Sequence, residues 1–261
     1  MKNLKLKIIL TVLVVIIIIV LFKFTNGFLY ENYKSDDFDP KVIKTKVSSE
    51  LSEIPVYVIN MKSRKDRKAH MINLLDTLGF KNYTFVVPVP KEEAMKDPIM
   101  ENTNLTPSKA SNTLTFFKIF KETPYDKFII MEDDIDIYFD DATMTDVYNS
   151  AKSHPWDLLY FEFCFADCDN LITVSPSLYK LPRAVCTGCT MFKKSAGLKL
   201  IENFDNKTMA KDQYFSDMNL QGVVNSYGFP LFRQNPKFGS DLEGSFKYTN
   251  ADVFSSICSS S

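Results

Sequence analysis

The sequence predicts an α/β domain built as a mixed sheet flanked by helices. Three observations predict it. Apolar strand-like runs alternate with amphipathic helical stretches through much of the chain, the order that builds a sheet covered by helices. The run Phe128 to Met131 is too short for a helix and too apolar for a half-exposed strand. It reads as a strand buried on both faces. That run then ends in acids, with Glu132, Asp133, Asp134 and Asp136 closely following Met131. In open α/β folds the crevice beyond the carboxyl ends of the strands is where ligands bind.

The elements follow in order. Ile54 to Asn60 is a β-branched apolar run and reads as the first strand of the domain. Ser63 is positioned to cap the next helix, with Asp66 three residues on. Met71, Leu74, Leu75 and Leu78 form its apolar stripe and Gly79 its stop. Tyr83 to Val89 is the second strand, joined to the first by a right-handed connection. A loop with Pro88, Pro90 and Pro98 leads to Thr106 and Pro107, a cap and a first helical residue. Ala110, Leu114, Phe117 and Phe120 are the buried face of that helix, which Pro124 ends. The acid-tipped strand comes next. Leu158 to Phe163 is a further apolar strand, and a strand near Val174 to Leu181 is expected to pair with Thr187 to Phe192. A helix runs from Ser195 through Glu202, a shorter one follows Asp212, and Val223–Tyr227 and Phe229–Phe232 are late strands.

The 261 residues suit one globular domain with appendages. A net charge of −1 gives no sign of a nucleic-acid partner. With 22 Phe and 12 Tyr against 8 Gly, a large core is available. A glycine-rich phosphate cradle is not, since the chain has neither GxGxxG nor a Walker loop. Lys2, Lys5 and Lys7 precede an uncharged run from Ile8 to Phe22, and Lys23 follows. The run is short against the roughly 20 residues that span hydrocarbon, and the flanking lysines extend it by snorkelling. Basic residues ahead of it favour a cytoplasmic N-terminus. The expectation is a single-pass type II membrane protein with residues 1–25 as anchor and 26–52 as stem. Residues 53–250 would be a luminal or extracytoplasmic domain and 251–261 a polar tail. A cleaved signal peptide is the alternative.

Cys164, Cys168, Cys186, Cys189 and Cys258 leave three readings open: disulfides among the first four, a zinc site, or small buried thiols. Asn82, Asn104 and Asn206 begin glycosylation acceptor patterns, which matter only in a luminal domain.

Carboxylates packed at one strand tip raise one another's pKa. A hard divalent cation removes the conflict, because Mg²⁺ or Mn²⁺ takes carboxylate oxygens and bridges to substrate phosphates. Glu132, Asp134 and Asp136 are the candidate metal ligands, on one side of the strand only if the extended backbone continues that far. An acidic turn that caps a helix and faces water is the competing reading.

Three stretches together resemble glycosyltransferase family 25, which includes lipooligosaccharide and collagen galactosyltransferases. Val56 to Met61 with Ser63, Arg64, Asp66, Arg67 and Met71 resembles its opening motif. Phe128 to Ile135 resembles its hydrophobic strand ending in Glu-Asp-Asp. Trp156 to Tyr160, then Gly188 to Leu200, resembles its Trp-Asp strand and a later strand-helix segment. The likeness covers about residues 54–242. It departs at Lys109 to Thr113, where the family has a Ser-His pair and this chain has no His. The resemblance implies a GT-A-like, Rossmann-type mixed sheet, a nucleotide-sugar (UDP-sugar) donor, Mn²⁺ or Mg²⁺, and inversion at the anomeric carbon. The acceptor would be a glycan or glycoprotein. Under it, Asp212 is the candidate catalytic base, where a helix N-cap carboxylate is the other reading. Asn60, Arg64, Arg67, Glu132 and Asp133 are the candidate donor-binding residues. Two other classes fit the acids: a metal-dependent phosphoester hydrolase, and a catalytically inactive, membrane-tethered glycan-binding protein on a transferase scaffold.

Overall fold

A computed structural model describes residues 45–138, 142–164, 166, 170–204, 209–239 and 241 of the chain. Strand β1 (Val56–Ile59), helix α2 (Lys65–Leu78) and strand β2 (Tyr83–Val86) form the opening unit, behind a short helix α1 (Ser49–Ser52). Helix α4 (Pro107–Glu122) precedes β3 (Lys127–Glu132), with a single turn, α3 (Lys91–Ala94), in the loop before it. After β3 come β4 (Ile135–Ile137), α5 (Met144–Ala151), β5 (Leu158–Tyr160), β6 (Ile172–Ser175) and β7 (Leu178–Lys180). Strand β8 (Cys189–Lys193), helices α6 (Lys194–Glu202) and α7 (Lys211–Leu220), and strands β9 (Ser226–Gly228) and β10 (Phe232–Gln234) close the described domain.

The main sheet has eight strands in the order β2-β1-β3-β8-β5-β9-β7-β6, and β4 pairs with β10 in a separate two-stranded ribbon. Strands β2, β1 and β3 are parallel, while β8 runs antiparallel between β3 and β5. The sheet is mixed, as the alternation of strands and helices along the chain predicts. Strand β3 lies inside it, and its alternation feeds two cores. Ile129 and Met131 pack with Leu74 and Leu75 of α2 and Val147 of α5. Phe128 and Ile130 pack with Phe116 and Phe120 of α4, Leu200 of α6 and Phe215 of α7. All four apolar residues are fully buried. At the ~25 cal/mol per Å² that holds for apolar burial, each contributes about 1.5–3 kcal/mol.

Several boundaries differ from the sequence reading, for local reasons. Ser63 does not cap α2: Arg64 is the cap residue, without a side-chain bond, and Asp66 accepts from the Arg64 guanidinium instead. Gly79 ends α2 at φ 84°, in the left-handed region that suits glycine. Thr106 caps α4 ahead of Pro107 as predicted. Residues 47–52, assigned to the stem, pack on the domain: Leu51 is fully buried and the Ser48 amide donates to Thr145 Oγ1. The segment before β8 forms a hairpin, β6 with β7, and β7 pairs with β9 rather than with β8. Strand β8 has both edges taken by β3 and β5. Helix α5, held by a Thr143–Asp146 capping box, went unread in the sequence.

Cys164 and Cys186 form a disulfide, and Cys189 is a buried free thiol. That resolves the cysteine readings for those three positions. Cys168 and Cys258 lie outside the described residues, as do the apolar run 8–22, the tail 251–261 and Asn206. Among the described residues no helix is long and apolar enough to cross a membrane.

Candidate active site

Parallel pairing of β1 with β3 sets Ile59 opposite Glu132. The chain ends of both strands therefore meet, and Asn60 faces the acids. The backbone turns at Asp133 and Asp134 and resumes as β4. This turn decides where each carboxylate goes.

Glu132 is the last residue of β3. Its Oε1 accepts from Lys211 Nζ at 3.2 Å and its Oε2 from Gln234 Nε2 at 3.2 Å. Asp133 points back at α2: Oδ2 accepts from Asn60 Nδ2 at 2.7 Å and Oδ1 from Arg67 Nη1 at 2.6 Å. Asp134 Oδ2 lies 3.1 Å from the same Arg67 nitrogen, while Asp134 Oδ1 is buried with no hydrogen-bond partner. Burial first, then the Glu132 charge, pushes the Asp134 carboxyl up to about 7 against the pull of Arg67. Asp136 sits apart on β4. It accepts from Asn235 Nδ2 at 2.6 Å and lies 3.4 Å from His70 Nε2. Burial raises its pKa, with the Asn235 bond acting the other way.

The three-acid metal set of Glu132, Asp134 and Asp136 is thus not assembled. Extended backbone would have put all three on one side; the turn sends Asp136 to the β4–β10 ribbon. Among the described residues no group of three His, Cys, Asp or Glu side chains converges as a metal cluster. Glu132 and Asp134 do converge on one cleft.

The arginines also differ from expectation. Arg67 is 4% exposed and serves as the counter-charge to Asp133 and Asp134. Its Nη2 donates to the Gly239 carbonyl at 2.7 Å and lies 3.2 Å from Asp241. Arg64 binds Asp66, Asp241 and the Phe238 carbonyl. Both guanidiniums are committed to Phe238 and Asp241, and Arg67 also to Gly239, although Arg67 still lines the cleft. Asn60 is a brace: the amide that was expected to read a nucleotide spans Asp133 and the Arg64 carbonyl. Asp212 lies in the first turn of α7 and accepts from the Cys186 amide at 3.4 Å. It does not line the cleft described next.

The cleft is open to solvent along one side. Glu132, Asp133, Asp134 and Arg67 form one end. Ile59, Met61 and Pro88 supply an apolar wall, and Lys91, Ser108, Ser111 and Asn112 a polar one. Ser108 Oγ is buried there without a partner. Ser111 Oγ donates to the Val89 carbonyl, and Thr115 Oγ1 accepts from the Val89 amide, so α4 fixes the loop that shapes this wall.

Two residues near the acids were missed. Glu162 is 5% exposed, with Oε2 unpartnered. Burial, then Glu132 and Asp134, pushes its carboxyl up to about 8. Gly188 makes room for it: a Cβ there would stand 2.0 Å from Glu162 Oε2. The signal was present, an acid within the apolar run Leu158 to Phe163. Lys211, 5% exposed, is the other; a lone lysine ahead of an acid carries no local sign of burial.

No family model matches the chain, and no curated protein matches it. The resemblance to glycosyltransferase family 25 therefore has no family match behind it. Solved structures match the chain at low similarity. The inositol-1-phosphate CTP transferase from T. maritima is 9% identical over 77% of this chain and 96% of that one, with a TM-score of 0.45. Apo UDP-glucose pyrophosphorylase is 8% identical over 69% and 74%, with a TM-score of 0.39. Mouse xyloside xylosyltransferase 1 is 11% identical over 71% and 74%, also at 0.39. Values this low carry no function across, which rests on this chain's own residues.

Proposed function

We propose that the chain is a glycosyltransferase that moves a sugar from a nucleotide-sugar donor, a UDP-sugar, to a glycan or protein-linked acceptor with inversion and with help from a divalent cation. The observation that carries the reading is Asp134. A carboxylate buried beside Glu132, with one oxygen lacking any partner, is a costly arrangement in an empty protein. It becomes favourable when a hard cation supplies the missing charge. The donor set fits Mg²⁺ or Mn²⁺, which commonly take one or two carboxylates and complete their shell with water and substrate phosphates. Glu132 and Asp134 would hold it, and bound there it would offset charge on a departing diphosphate.

The remaining residues have roles the geometry supports. Arg67 and Asn60 lock Asp133, which fixes the turn and so aims Asp134 at the cleft. Ile59, Met61 and Pro88 offer a dry surface for a nucleobase, and Ser108 and Asn112 polar atoms beside it. Asp212 is the candidate base for the acceptor hydroxyl. The Cys164–Cys186 disulfide favours an oxidising compartment. It agrees with an extracytoplasmic domain anchored by the apolar run near the N-terminus.

The test uses purified protein, a panel of nucleotide sugars, and Mn²⁺ present or chelated. Metal-dependent donor hydrolysis or transfer is the expected result, and Asp134→Asn should lower it by at least about a hundredfold, the scale for losing a group that stabilises developing charge. Phosphate release from simple esters would point to the hydrolase class instead. An Asp134→Asn protein that keeps its rate would remove the metal from this site.

A further inference from the structure

Lys211 stands out among the charged groups that the reaction above does not use. It opens α7, yet only 5% of it reaches solvent. Its Nζ donates to Thr187 Oγ1 at 2.7 Å and to Glu132 Oε1 at 3.2 Å, and it lies 4.5 Å from the centre of the Phe116 ring. A buried ammonium needs this kind of enclosure, and the enclosure fixes where the charge sits. Its ion partner, Glu132, is one of the carboxylates that line the cleft.

Arg67 does the same for the other side of the tip, 2.6 Å from Asp133 and 3.1 Å from Asp134. Two protein cations therefore stand on three adjacent carboxylates. A free divalent ion arriving at the tip meets acids that are already paired, with Asp134 Oδ1 as the open oxygen. A nucleotide diphosphate changes the balance, since its own oxygens supply ligands and negative charge.

We propose that Lys211 is a built-in counter-cation that competes with a divalent ion for Glu132, so that the site takes the ion together with a nucleotide diphosphate and holds it poorly alone. This rests on the cation reading of Glu132 and Asp134. Lys211 acts through Glu132 and is a positioning residue, not one that touches the donor.

Mn²⁺ binding to the purified full chain, followed by the electron paramagnetic signal of the free ion, tests it without turnover. In the natural protein, adding UDP should tighten Mn²⁺ binding at least about tenfold beyond what UDP binds in buffer, within the usual range of coupling between two ligands. Lys211→Met keeps an apolar side chain of similar length and removes the charge. It should tighten binding of Mn²⁺ alone by about tenfold or more, the effect of deleting a like charge within a few ångströms. Lys211→Arg should stay within about threefold of the natural protein, because the charge remains. In a Glu132→Gln background, Lys211→Met should change nothing. Thermal melts confirm that each variant is folded, and Lys211→Gln, which keeps a donor for Thr187, replaces Met if it is not. Tight Mn²⁺ binding without nucleotide, or unchanged or weaker binding in both charge-removing variants, would overturn the proposal while leaving the transferase reading intact. No binding of Mn²⁺ or UDP under any condition would sink that reading as well.

Discussion

Replacing Arg67 by Met asks whether one guanidinium makes two buried carboxylates tolerable. Arg67, Asp133 and Asp134 are 4%, 7% and 8% exposed, so water cannot take over the lost contact. Removing one partner of a buried ion pair costs about 3–5 kcal/mol, because the other charge is left uncompensated. Two features set the value within that range. Arg67 Nη1 serves both acids, at 2.6 and 3.1 Å, which argues for the upper end. Asp134 has an exit, since its carboxyl already stands at about 7 and rises further once Arg67 is gone. It can take a proton, whereas Asp133 keeps only the Asn60 amide as a partner.

The balance gives a loss of about 4 kcal/mol at pH 7.5. With about 2–4 °C of midpoint per kcal/mol in a domain of this size, the melting temperature should fall by about 8–16 °C. At pH 5.5 Asp134, whose carboxyl stands at about 7, is protonated in both proteins; its share of the cost, at most about 0.8 kcal/mol at pH 7.5, disappears, so the fall should shrink by about a fifth. Circular dichroism melts of both proteins at the two pH values measure this. A fall below about 2 °C at pH 7.5 would refute the counter-charge role, since it is the shift of less than about 1 kcal/mol. An equal fall at both pH values would instead refute the part given to Asp134.

Three further perturbations follow from the same tip. The Glu162 carboxyl, raised to about 8 from an ordinary 4.5, keeps in the fold a proton that the unfolded chain releases. Its contribution to stability is therefore complete below about 4.5 and is lost as pH rises towards 8; urea midpoints should fall across that window and fall less in Glu162→Gln. Parallel curves for the two proteins would count against it. Asp136→Asn, which removes the charge facing His70 and Asn235, should cost about 1–3 kcal/mol of stability yet leave Mn²⁺–UDP binding within about threefold. An equal loss from Asp136→Asn and Asp134→Asn would restore the three-acid set that the spacing predicted. Gly188→Ala puts a methyl 2.0 Å from Glu162 Oε2 and 3.0 Å from Ile135 Cγ2, and should destabilise by about 1–3 kcal/mol; Glu162→Ala in the same chain should recover most of that.

What was legible in the sequence depended on how local its cause is. The apolar run of β3 announced burial on both faces because four successive apolar residues have no other satisfactory place. Thr106–Pro107 and Gly79 marked helix ends because caps act within a turn. Strand order was not legible. Nothing in residues 172–193 says that β8 slots between β3 and β5, because pairing is chosen by partners elsewhere in the chain. The short hairpin strand beside it was accordingly given the wrong neighbour. Helix α5 is eight residues long with a local capping box, and its signal was there to be used.

The site divides in the same way. That acids gather at a strand tip is a one-dimensional fact, and it located the cleft. Which acids work together is a three-dimensional one. An acidic-x-acidic spacing brings carboxylates together only while the backbone stays extended, and the turn at Asp133–Asp134 breaks that condition between Glu132 and Asp136. Charge state was further from reach, because it depends on residues remote in sequence. Lys211 is 79 positions from Glu132 and Arg67 is 66 from Asp133. Seen as a string, the tip is a block of negative charge that demands a metal. Folded, it is partly offset by the chain's own cations, and the unmet demand sits on one oxygen of Asp134. A site in that state should respond to a divalent ion weakly and to an ion carried by a diphosphate strongly. That difference in response, more than the count of acids, is what separates this arrangement from a resident metal centre.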